Sequence, residues 1–117
     1  MKDYKNVLRE YKKLGCPKDK DTVKRLAVKH GHFKNGSKFK GEGLLWDINC
    51  MEQAVNGKLY FAEDIKTPIA TRLNGLLHDA RFATYAVEAG VINHTEYRKA
   101  MLTLMEGSVK LAKKGLK

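Results

Sequence analysis

Only two prolines interrupt this chain, and the second of them, Pro68, opens the segment that most limits the possible folds. From Ile69 onward the apolar residues Leu73, Leu76, Leu77, Ala80, Ala83 and Val87 recur with a period near 3.6, and Gly90 closes the run. Thr67 as N-cap with Pro68 at the first helical position is a start signal, because proline has no N–H to leave unsatisfied there. The spacing predicts one long helix, with Phe82 and Tyr85 widening its apolar face. A few residues later Asn93-His94-Thr95-Glu96 has the form of a capping box, with an amide carbonyl in place of the usual hydroxyl. The helix it opens is expected to bury Tyr97, Met101, Leu104, Met105, Ser108 or Val109, and Ala112. Two long helices joined by so short a connection should pack as an antiparallel hairpin.

The rest of the chain follows the same period. Tyr4, Val7, Leu8, Tyr11 and Leu14 form one stripe, ended by Gly15 in a left-handed C′ position and by Pro17. Asp21 is the expected N-cap of a second helix with Val23, Leu26 and Ala27 inward and Gly31 at its end. Leu44, Leu45, Ile48, Met51 and Val55 mark a third helix, closed by Asn56-Gly57. The segment KLYFAED, residues 58–64, reads as a lone strand or an extended connector. At 117 residues and 43% hydrophobic the chain supports one core. The expectation is an all-α fold: a compact single-domain helical bundle of about five helices over residues 1–117. Basic N-terminal helices and a finger occupy residues 1–43, and a helical core occupies 44–117.

Charge divides the chain less evenly. The formal charge is +10, yet residues 1–40 hold thirteen Lys and Arg against Asp3, Glu10, Asp19 and Asp21. Residues 41–105 are slightly acidic, and the last turn of the final helix is basic again at Lys110, Lys113 and Lys114. Such an asymmetry marks contact with phosphate, anionic lipid or an acidic protein. The candidate anion-binding residues are Lys5, Arg9, Lys12, Lys13, Lys24, Arg25 and Lys29 on the two N-terminal helices. Lys34, Lys38 and Lys40 join them from HGHFKNGSKFKGEG, residues 30–43. With a three-residue loop at Asn35-Gly36-Ser37, Phe33 pairs with Phe39 and Lys34 faces Lys38, a like-charge pair that only an anion relieves. The stretch is therefore either a small basic β-hairpin at 32–40 or a polar loop. It is not the second helix of a helix-turn-helix, since Ser37 and Lys40 would fall at buried positions and the glycines disfavour a helix.

Motifs for catalysis are absent. There is no phosphate-cradling glycine loop, nucleophile elbow or zinc-finger spacing. His30-Gly31-His32 lacks a third ligand at a recognised spacing, so no metal or cofactor is expected. His78-Asp79 and Glu63-Asp64 are the pairs that could serve acid–base work or hold magnesium, but His78 borders an apolar stripe and reads as a satisfied, partly buried histidine. Trp46 reads first as a core anchor, or else as an exposed ring for stacking on a base. Cys16 and Cys50, without a C-x-x-C spacing, read as reduced thiols in a soluble, cytoplasmic protein. No apolar run is long enough for a transmembrane helix, and no membrane role is expected. The functional expectation is a small, basic, non-enzymatic nucleic-acid-binding regulator. The alternative is a protein-binding inhibitor or adaptor, of the kind phages and mobile elements encode, that turns the same basic face to an acidic partner, and an enzyme acting on an anionic substrate comes third.

Overall fold

A computed structural model describes residues 4–31, 42–59 and 68–115. They form five helices in the order α1 (Tyr4–Lys13), α2 (Lys20–Lys29), α3 (Glu42–Val55), α4 (Ile69–Glu88) and α5 (His94–Gly115). No strand occurs among the described residues. The protein is an all-α helical bundle, as the apolar periodicity predicts. The proposed hairpin at 32–40 and most of the 58–64 segment lie outside the described residues. No helix among the described residues is long and apolar enough to cross a membrane.

Helix ends follow local chemistry. At the end of α1 Gly15 has φ of 83°, which lets Cys16 N–H bond back to the Tyr11 carbonyl at 3.0 Å. Gly90, with φ of 79°, ends α4 the same way, and Val91 N–H reaches the Ala86 carbonyl at 2.9 Å. The capping box is formed in both directions: Glu96 N–H donates to Asn93 Oδ1 at 2.8 Å, and Asn93 N–H donates to Glu96 Oε1 at 3.0 Å. Two caps differ from expectation. Asp19, not Asp21, caps α2, accepting from Thr22 N–H at 3.0 Å. Both aspartates suit the role, but only the one three residues before an orphan N–H can reach it. Pro68 is itself the cap residue of α4, with its carbonyl accepting from Arg72 N–H at 3.1 Å.

The helices enclose two clusters. The larger joins α1, α2, the first half of α3 and the second half of α4, around Val7, Leu8, Tyr11, Val23, Leu44, Ile48 and Phe82. The smaller joins the end of α3, the first half of α4 and α5, through Ala54, Leu76, Ala100, Leu104 and Leu111. Leu76 shares a cluster with Leu104 and Leu111 far from the connection, while Thr84 Oγ1 and Tyr97 Oη pair at 3.0 Å close to it. α5 therefore runs back along α4 as an antiparallel hairpin. Thr103 Oγ1 ties α5 to α3 by donating to the Ala54 carbonyl at 2.8 Å.

The buried face of α5 is rotated from the expected one. Ala100, Leu104 and Leu111 are buried, whereas Met105 and Val109 are 62% and 52% exposed. Ala112 is exposed as well, and on α4 so is Leu77. On that face Ala100 is fully buried and Gly107 leaves no room for a Cβ beside Leu59, so the buried side carries small residues where the other carries larger apolar ones.

Candidate functional site

On α1 the exposed residues Lys5, Arg9, Lys12 and Lys13 are spaced so that they share one side of the helix. The opposite side is Val7, Leu8 and Tyr11, all buried. Among the described residues no carboxylate pairs with any of these four cations. The stripe lies beside the end of α4: Lys12 Cε is 3.9 Å from where a Cβ on Gly90 would stand. That end of α4 presents its carbonyls, a partial negative charge that favours a nearby ammonium.

On α2 Lys24, Arg25 and Lys29 are exposed too, but they are divided. Lys29 Nζ pairs with Glu10 Oε1 at 2.6 Å, and the His30 ring takes the other Glu10 oxygen. These contacts, Lys29 first and His30 second, hold the Glu10 carboxyl below its usual range. Arg25 Nε donates to the Asp21 carbonyl at 3.5 Å. Arg25 and Lys29 border a surface groove of about 270 Å³ shared with Glu10, Leu14, Thr22 and Leu26. Glu10 faces α2 and stands about 200° round α1 from Lys12. The seven candidate cations that are described thus form an unpaired stripe on α1 and a partly neutralised set on α2, with Lys24 on the other flank of α2 from Arg25 and Lys29. Lys34, Lys38 and Lys40 lie outside the described residues, as do His32, Glu63 and Asp64.

Trp46 is 45% exposed and is not a core anchor. The core positions of α3 are Leu44, Ile48 and Met51, and the indole stands about 200° from Leu44 on the helical wheel. The remaining sequence candidates, His78 and Asp79, meet a residue the sequence reading did not single out. Asp47 of α3 is buried, and its Oδ1 lies 2.9 Å from His78 Nε2. Tyr4 Oη lies 3.5 Å from His78 Nδ1. With a neutral imidazole, Nε2–H donates to Asp47 and Nδ1 accepts from the Tyr4 hydroxyl, an assignment made from the hydrogen-bond partners. The tyrosine is held by edge contacts with His78 and Phe82, at 5.9 and 5.8 Å between centroids, and by stacking on Tyr85 at 5.7 Å.

Burial and nearby charge tune this cluster. Burial pushes the Asp79 carboxyl up to about 6; Asp47 adds to the rise and His78 opposes it. Burial likewise raises Tyr4 to about 12, with Asp47 contributing. The Cys50 thiol is pushed up to about 12 by burial and then by Asp79 and Asp47, so it stays protonated at neutral pH. Cys16 and Cys50 are both free of disulfide bonding. The sequence did hold a signal for Asp47. It interrupts the Leu44–Ile48–Met51 apolar stripe, and a carboxylate there must face either the core or another polar group.

Comparison with protein-family models, with curated proteins and with solved structures gives no match, so the functional reading rests on these residues alone.

Proposed function

We propose that the protein is a small, non-enzymatic nucleic-acid-binding regulator whose principal phosphate-contacting surface is the α1 stripe. The observation that carries this reading is the set of exposed cations Lys5, Arg9, Lys12 and Lys13, which no carboxylate neutralises among the described residues. Val7, Leu8 and Tyr11 on the other side of the helix fill the core, so the stripe is not needed to cover it. Unpaired cations along one helix face suit a polyanion, since each phosphate contact releases condensed counterions. Lys24, Arg25 and Lys29 extend the positive potential without forming one continuous patch. Exposed lysines and an arginine along one helix face suit phosphates rather than base edges, so the expected binding is backbone-directed and tolerant of sequence.

The test is fluorescence anisotropy with single-stranded and duplex DNA and RNA across a salt series. Affinity should fall steeply with salt and vary little with sequence. Absence of binding at moderate salt would reject the proposal and transfer the basic face to an acidic protein partner.

A further inference from the structure

A second feature is independent of the basic surface. His78 and Asp79 are consecutive on α4, and consecutive residues on a helix diverge by about 100°. α3 packs against α4 beside this pair and presents Asp47 there. One ligand atom from each of Asp47, His78 and Asp79 lies within 4.8 Å of the other two.

We propose that Asp47, His78 and Asp79 form a binding site for one divalent transition-metal ion that clamps α3 to α4. Four donors about 2.1 Å from a tetrahedral ion stand about 3.4 Å apart, so side-chain rotation of the order of 1 Å brings the three together. Asp47 and His78 are already at 2.9 Å, and the ion takes the place of the proton they share. Two carboxylates and a neutral imidazole match a double positive charge. The mixture of one nitrogen and two oxygens suits zinc, cobalt, manganese or ferrous iron, since an imidazole is a poor donor for magnesium or calcium.

The site also has the outer support such ligands use. A metal-binding histidine is oriented through its other ring nitrogen. Here that nitrogen faces the Tyr4 hydroxyl, which can accept from Nδ1–H once Nε2 holds the ion. The tyrosine is itself fixed by the Phe82 and Tyr85 rings. Three protein donors leave a coordination position for water or an exogenous anion.

The experiment uses the metal alone. Zinc is titrated into the full chain by calorimetry, and cobalt is followed by its visible absorption. The expected result is one ion per chain, a melting temperature that climbs with zinc concentration, and cobalt bands of low-symmetry coordination. Asp79→Asn and His78→Gln should each weaken zinc binding more than about tenfold, a loss seen even when outer-shell partners are removed. Asp79→Asn is only half-buried and relieves the repulsion from Asp47, so its metal-free melting temperature should equal or exceed that of the unaltered protein. His94→Ala, at an exposed histidine at the start of α5, should bind zinc unchanged. Zinc binding that is absent from the unaltered protein, or that is as tight in the Asp79 and His78 variants as in the unaltered protein, would overturn the site.

Discussion

The two clusters of this bundle are built on different terms. Around α1 and α2 the core is made of large side chains, with Tyr11, Phe82, Leu8 and Leu44 essentially without exposure, and the outer face is charged. In the α4–α5 hairpin the core relies on Ala54, Ala100 and three leucines, while Leu77, Leu102, Met105 and Val109 stand in solvent. The difference shows what separates a well-specified helix face from a poorly specified one. A helix with lysines on one side and valine, leucine and tyrosine on the other has one orientation in which it can pack. A helix with apolar residues on two sides has its orientation decided by shape, by which side allows closer approach.

The largest expected effect sets the two regions against each other. Phe82→Ala, in the larger cluster, should destabilise the protein by about 3–5 kcal/mol in denaturant unfolding. Met105→Ala, an apolar residue of similar standing in the sequence, should change stability by less than about 0.5 kcal/mol. Comparable losses at both positions would place the α5 face wrongly.

Gly107 sharpens the same comparison at the hairpin. A Cβ there would collide with Leu59 Cδ1, so Leu59 must move to admit it. Gly107→Ala should therefore destabilise by about 1–3 kcal/mol through overpacking. In a Leu59→Ala background the same change should instead stabilise, by up to about 1 kcal/mol, because alanine is the better helix former. A double-mutant cycle in thermal or denaturant unfolding reads that reversal of sign.

The smallest effect belongs to the pairing of α1 with α2. Glu10 has a lowered pKa in the folded state, so its contribution is present above the ordinary glutamate range and is lost as pH falls through the folded value. The stability difference between the unaltered protein and Glu10→Gln should be steady near neutrality and shrink toward zero in acid. A difference that grows in acid would mean that Lys29 and His30 do not hold this carboxylate.

The same contrast explains what the sequence reveals. The helices α1 and α2, the terminating Gly15 and Gly90 and the Asn93–Glu96 box are legible because each rests on contacts within a few residues. The buried side of α5 is not, since Leu104 and Leu111 define one stripe and Leu102, Met105 and Val109 another, and packing against Leu59 and Ala54 decides between them. The choice of Asp19 over Asp21 turns on one backbone geometry that both sequences of residues permit. The candidate site is legible in part. The cations of α1 follow from helical spacing alone, whereas the division of α2 depends on Glu10 reaching across to Lys29. The meeting of Asp47 with His78 and Asp79 is a tertiary event between α3 and α4: local periodicity marks Asp47 as a polar break in an apolar stripe but does not name its partners.

The most direct test of the proposed function removes equal charge from the two regions. One variant carries Lys5→Gln, Arg9→Gln and Lys12→Gln on α1, and the other carries Lys110→Gln, Lys113→Gln and Lys114→Gln at the exposed end of α5. Nucleic-acid affinity is measured for both across a salt series. The α1 variant should bind more weakly and lose about 0.7–0.9 from the log–log salt slope for each phosphate contact removed, while the α5 variant should keep nearly the full slope. Equal losses from the two variants would contradict the account, because they would show that net charge alone, and not the α1 stripe, holds the polyanion.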